Sequence, residues 1–224
     1  EQGYVTDPKL LTGKSTRNAE VELDHLPESF CPSKPVSKCP TSVENNPETY
    51  AQRKMNGNCI ILAKNGGNKV FSRTMKDLTN ALKDIPIIEK TLETMNKGQM
   101  INCEIVYVNS GDKKESTATL GSLVRTQDPD EAMAKYKEAS KTGKFVLWVF
   151  DIIFDKNKFV GNLEYLERYE LMNKYGFNTP SIIKDWKKYV KYENGTPKAI
   201  NGAETWEGCV LRVPGKSAIT YTLN

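Results

Sequence analysis

From residue 50 onward, apolar runs alternate with glycine, asparagine and proline punctuation, and the period of each run predicts its element. "YAQRKMNGNCIILAKNGGNKVFSR" (50–73) reads as a strand, a turn at Asn56-Gly57-Asn58, a strand, a Gly-Gly hairpin and another strand. "MKDLTNALKDIPIIEKTLETMNK" carries apolar residues at helical intervals broken by Pro86, and "QMINCEIVYVN" is a strand. "DPDEAMAKYKEASKTG" has an Asp-led helix start and a glycine stop. "KFVLWVFDIIFD" is too apolar to be an edge strand, "NLEYLERYELMNKYG" is an amphipathic helix from Asn162 to near Gly176, and "TWEGCVLRV" is a final strand. In "KDWKKYVK" the spacing of Ile183, Trp186 and Val190 predicts a helix with Lys184, Lys187, Lys188 and Lys191 around its solvated side. Residues 1–49 are polar and proline-bearing and read as a loop-rich lead-in, so residues 50–224 form the domain proper. Strands in hairpins with helices grouped between them argue an α+β fold with antiparallel sheets; the βα alternation of a parallel sheet is missing.

Composition narrows the function classes. Over 224 residues, 38% hydrophobic and 27% charged is ordinary for a globular chain. No apolar run reaches the length of a membrane span, and the N-terminal segment lacks a signal-peptide core, so a soluble, intracellular, cytoplasmic monomer is expected. Five cysteines scattered in contexts such as "NCIIL", "NCEIV" and "GCVLR" suit reduced thiols better than a disulfide framework. Cys31 and Cys39 have no second pair to complete a zinc site. With a single histidine, His25, zinc and Ser-His-Asp chemistry are disfavoured. The net charge of +4 is mild, but the interleaving of Lys187 and Lys188 with Trp186 and Tyr189 can also grip phosphates and stack on rings.

Three charged residues then need an account. Glu104 lies inside "INCEIVYV", Glu207 opens "EGCVLRV", and Lys54 precedes "CIIL". Taken singly, each could occupy a solvent-facing strand position. Taken together, a lysine and two carboxylates on neighbouring strands can form a lysine-nucleophile site. The carboxylates could hold a divalent cation that screens a bound triphosphate. A lysine amine attacks only when unprotonated, and desolvation or a nearby cation lowers a lysine from its usual value of about 10.4.

"KMNG" (54–57), "FSR" (71–73), "CEIV" (103–106), "VFDIIF" (149–154) and "EGCVLR" (207–212) stand in the order and approximate spacing of the covalent nucleotidyltransferase motifs. The chain resembles that superfamily, which includes ATP-dependent DNA ligases, RNA ligases and mRNA capping enzymes. "FCPSKPVSKCP" before the first motif and "YLERYELM" after "FDIIF" favour the DNA ligase branch. The resemblance implies an ATP-grasp-like nucleotidyltransferase domain with antiparallel sheets flanked by helices. It implies ATP, leaving AMP on Lys54, with Mg2+ as cofactor and nicked duplex DNA or RNA as partner. It further implies that Gln52 lines the adenine pocket, Phe150 stacks on the base and Glu104 holds the ribose. Arg73 would face the sugar or the 5′-phosphate, and Glu207, together with Glu104, would support the metal. Lys187 and Lys188 are candidates for contacting the nucleic acid.

The chain also departs from the family pattern. Asn56 replaces the usual aspartate, Cys59 stands where DNA ligases often carry arginine, and "NCE" replaces acid-glycine-glutamate. After "EGCVLR" no Lys-x-Lys strand follows, and the OB-fold domain of such enzymes is missing, so the chain reads as a piece of a longer protein, compatible with a viral or phage source acting in a host cell. The alternatives are an RNA ligase, a capping guanylyltransferase, or a non-catalytic nucleic-acid-binding relative suggested by Asn56 and Cys59.

Overall fold

A computed structural model of the chain describes residues 4–5, 22–26, 30–32, 35, 39–215 and 220–223. Most of the proline-rich lead-in and the "KSAI" stretch before the terminal strand lie outside the described residues, apart from short pieces. Those pieces are Tyr4–Val5 (β1) paired with Cys31–Pro32 (β2), a 3-10 turn at Leu23–His25, and the one-turn helix Thr41–Glu44 (α1).

Two antiparallel sheets organise the rest. The larger has five strands in the order β5-β4-β6-β7-β8, formed by Asn58–Lys64 (β4), Asn68–Ser72 (β5), Gln99–Asn109 (β6), Gly143–Asp155 (β7) and Lys158–Phe159 (β8). The smaller has the order β12-β11-β3, formed by Tyr50–Lys54 (β3), Gly208–Arg212 (β11) and Thr220–Leu223 (β12). The Asn56-Gly57-Asn58 turn therefore joins two sheets and does not close a hairpin. β3 pairs instead with β11, placing Lys54 opposite Gly208. β12 shows that "TWEGCVLRV" is not the last strand.

Side-chain alternation separates the two faces of the large sheet. Ile60, Leu62, Cys103, Ile105, Leu147 and Val149 are fully or almost fully buried under helices Thr79–Leu82 (α2), Pro86–Thr94 (α3), Thr117–Arg125 (α4) and Pro129–Ser140 (α5). Pro86 opens α3, where its missing N–H costs nothing, which is why the helical pattern breaks in two there. Asp128 caps α5 by accepting from the Glu131 N–H at 2.8 Å. The opposite face carries Cys59, Glu104 and Trp148 in one cross-strand row.

Helix Tyr165–Lys174 (α6) begins at Glu164, not at Asn162, because Glu164 and Glu167 form a reciprocal capping box. It ends at Gly176, whose φ of 75° suits a residue without Cβ. One buried ion pair fastens α6 to β7. Arg168, with no exposed surface, donates from Nε to Asp151 Oδ1 at 2.7 Å and from Nη2 to Asp151 Oδ2 at 3.1 Å.

The helix expected across residues 183–190 is instead a 3-10 turn, Trp186–Tyr189, running into the strand Val190–Glu193 (β9). Trp186 explains the difference. Its indole N–H donates to the Thr49 carbonyl at 3.2 Å, and Ile183 bridges Ala51, so the chain is pinned extended on both sides of the turn. β9 then folds back on Thr196–Ala199 (β10) through Asn194 and Gly195, both at positive φ.

Candidate active site

Lys54 is the last residue of β3, and the chain leaves the small sheet immediately after it. Gly57 permits the crossing, because a Cβ there would overlap the Ile105 carbonyl oxygen of β6. The pairing of β3 with β11 brings Lys54 to Glu207, the residue preceding β11, with which it forms an ion pair at partly exposed side chains. Glu104 completes the group. Its carboxyl is pushed up to about 8, chiefly by burial and then by the Glu207 carboxylate, while Lys54 and the Gly57 N–H pull it down. Two carboxylates and one lysine, separated by about 150 residues of sequence, thus act on one another directly.

This shift sets a pH-dependent cost. Glu104 is protonated in the folded protein at a pH where the unfolded chain is already ionised, so folding loses stability as pH rises from the ordinary carboxyl range through about 8. Glu104→Gln is neutral throughout. We expect its melting temperature to match the wild type near pH 4.5 and exceed it by a margin that grows up to about pH 8 and then levels off, the full gain being on the order of a few kcal/mol. Thermal melts from pH 4.5 to 9 check this; parallel curves for the two proteins would contradict it.

The remaining expected site residues fall in different places. Arg73 follows β5 and acts on Cys59, whose thiol is pushed up to about 12 by burial and by Glu104. Cys59 therefore stays protonated and donates to Asn102 Oδ1 at 3.1 Å. Phe150 is half-buried, as are Val146 and Trp148, so β7 is not buried on both faces as its composition suggests. Phe150 is also the unopposed residue of a β-bulge, since Cys103 pairs Val149 while Asn102 pairs Asp151. Bulges commonly re-aim a side chain beside a site. Its backbone carbonyl accepts from the Tyr165 hydroxyl at 2.8 Å.

Gln52 shares the Lys54 face of β3 but is buried. Its amide donates to the Pro180 carbonyl at 2.9 Å and accepts from Arg212 Nε at 3.0 Å, which fixes its orientation. Lys187 and Lys188 are exposed on the turn that packs against the Ala51 face, away from Lys54; Lys188 pairs with Asp185 at 2.5 Å. A cavity of about 190 Å³ between β11 and the β9–β10 hairpin, lined in part by Tyr189, Trp206 and Cys209, also lies on that face and touches the site only at Glu207.

Two further contributors receive no role from the sequence: Glu115, which lies outside every motif, and Arg212, the last residue of "EGCVLR". Glu115 accepts from the Arg53 guanidinium and, at 2.9 Å, from the Asn56 backbone N–H. Arg212 lies 3.4 Å over the Tyr165 ring while holding Gln52.

No group of three or more histidine, cysteine or acidic side chains is arranged to hold a metal ion among the described residues. The donor set that faces Lys54 is the pair Glu104 and Glu207. Two carboxylates fit Mg2+ when phosphate oxygens and water complete its octahedron, and do not fit an all-protein metal cage.

A family model described as the ATP dependent DNA ligase domain matches residues 33–212. The chain belongs to this ligase-domain family. No curated protein sequence matches it. Among solved structures it is similar to a putative ATP-dependent DNA ligase from Aquifex aeolicus, at 15% identity and TM-score 0.51, over 88% of this chain and 50% of that one. It is similar to an archaeal ATP-dependent RNA ligase at 14% identity and TM-score 0.50, over 86% and 48%. The Chlorella virus DNA ligase-adenylate matches at 19% identity and TM-score 0.47, over 81% and 61%. The first two likenesses show the fold, antiparallel sheets flanked by helices. The ligase domain spans about half the length of the first of these relatives. No helix among its described residues is long and apolar enough to cross a membrane.

Proposed function

We propose that this ligase domain is the adenylation unit of a polynucleotide ligase that seals nicks in duplex DNA. The convergence of Lys54, Glu104 and Glu207 carries the reading. The Lys54 amine attacks the α-phosphorus of ATP; a P–N bond forms, the bond to the bridging oxygen of the β-phosphate breaks, the amine loses a proton and pyrophosphate departs. AMP then passes to the 5′-phosphate of the nick, and the 3′-hydroxyl displaces it. Because attack needs the free amine, the Lys54–Glu207 pair must open first. Neutralising the triphosphate is the chemistry that Mg2+, held by Glu207 with Glu104, supplies when bound.

Glu104, on the sheet face that carries Cys59 and Trp148, accepts from a ribose hydroxyl. Arg73, whose charge acts on Cys59 opposite Glu104, is the cation for the sugar or the 5′-phosphate in this reading. Gln52 borders the base pocket through Arg212 and Pro180, and Lys187 and Lys188 offer cations to the duplex backbone. Phe150 is the base-stacking surface. Phe150→Ala should raise the ATP concentration for half-maximal labelling roughly tenfold, since base stacking is worth about 1–3 kcal/mol. An unchanged ATP dependence in the folded variant would make Phe150 a packing residue only.

The reading is tested by incubating the chain with α-labelled ATP and Mg2+. Label should transfer into an acid-labile, base-stable phosphoramidate and then move to nicked DNA. Absence of label with any nucleotide, with nucleic acid still bound, would favour the non-catalytic alternative, and label from GTP alone a capping enzyme. An RNA ligase is the second reading, favoured by Asn56 in place of aspartate; matched DNA and RNA nicks distinguish the two.

A further inference from the structure

We propose that Glu115 is the positioning residue of Lys54. Its carboxylate ties the residue before the lysine and the residue two after it to the large sheet. This inference rests on Lys54 being the nucleophile.

The loop after β6 is built to present this carboxylate. Asn109 N–H donates to the Lys114 carbonyl at 3.0 Å, Lys113 N–H donates to the Asn109 carbonyl at 3.1 Å, and Lys113 takes a φ of 59°. The chain thereby turns back so that Glu115 bridges Val108. Opposed residues of an antiparallel pair share a face, and Val108 lies an even number of positions from Glu104 along β6. Glu115 therefore stands on the face that carries Glu104. Only 6% of its side chain is exposed.

A buried carboxylate demands partners, and both that it finds flank Lys54. The Arg53 guanidinium pairs with Oε1 across 62 residues of sequence, and the Asn56 N–H donates to Oε2. Arg53 also lies 5.9 Å over the Trp206 ring, next to Glu207. Between the two tethers only Lys54 and Met55 remain, at the point where the chain leaves one sheet for the other. Removing Glu115 releases that segment while leaving Glu104, Glu207 and Phe150 in place. A displacement of about 1 Å at a reacting atom can lower a rate on the order of 100-fold.

The test measures single-turnover AMP transfer to Lys54 in the wild type, Glu115→Gln and Glu115→Ala, with rates normalised to the folded fraction. Glutamine retains the volume and an acceptor for the Asn56 N–H. The maximal rate should fall roughly 10-fold in Glu115→Gln and about 100-fold in Glu115→Ala, with the half-saturating ATP concentration changed less than about threefold. Hydrogen exchange at the Asn56 amide should accelerate in Glu115→Ala and much less in Glu115→Gln. A lower melting temperature with an unchanged maximal rate per folded molecule would assign Glu115 to stability alone and overturn the inference. So would normal Lys54 labelling in both variants, which leaves the nucleophile reading intact. A wild type that labels at another residue overturns both.

Discussion

Lys54→Arg should reduce AMP transfer from ATP to background while leaving the protein folded. Arginine retains the charge and can still reach Glu207, whose pairing with Lys54 involves partly exposed side chains and contributes on the order of 1 kcal/mol or less. The fold therefore has little reason to notice. The chemistry does, because a guanidinium with a pKa above about 12 keeps its proton and offers no lone pair to the α-phosphorus. Lys54→Ala should lose labelling equally and differ only in losing the ion pair. Gel labelling with α-labelled ATP beside a thermal melt reads both effects. A folded Lys54→Arg protein that still takes label would remove Lys54 from the chemistry.

Arg168→Ala should be the most destabilising substitution away from the site. It strands Asp151, which is 5% exposed, without its bidentate partner, and deprives the Gly161 and Leu163 carbonyls of a donor. Breaking a buried pair by removing one partner costs about 3–5 kcal/mol, a large part of the stability of an ordinary domain. For a chain of this size that corresponds to a fall in melting temperature of roughly 6–20 °C. Phe150 lies between Val149 and Asp151 on the bulged strand, so the variant should also bind ATP more weakly once folded. Replacing both partners, as in Asp151→Leu with Arg168→Met, should be milder than Arg168→Ala, because no buried charge is left alone. A melting temperature for Arg168→Ala within about 2 °C of wild type would contradict the account of this pair.

The sequence discloses some of this architecture and conceals the rest for identifiable reasons. β4, β6 and α5 follow from local period and capping residues, and Lys54, Glu104 and Glu207 attract notice as charges entering apolar strands. The pairing of β3 with β11 is not local. Nothing near Lys54 announces that Gly208 lies opposite it, so the turn at Gly57 resembles a hairpin until its crossing over Ile105 is known. Helical spacing at Ile183, Trp186 and Val190 is misleading because Trp186 is held by Thr49 and Ile183 by Ala51, contacts that outweigh a short period. The β9–β10 hairpin did carry a signal, the Asn194-Gly195 pair. So did α4, in the spacing of Leu120, Leu123 and Val124, interrupted by Gly121. Glu115 carried none. In "GDKKES" it looks like a solvated loop charge, and only the fold shows it buried against Arg53 and Asn56.

Mass-spectrometric mapping of the AMP-bearing peptide after incubation with ATP and Mg2+ tests the central claim most directly. The account predicts a single adenylated lysine, Lys54, in the peptide that joins the two sheets; AMP on Lys64, Lys69 or any other lysine instead would contradict it.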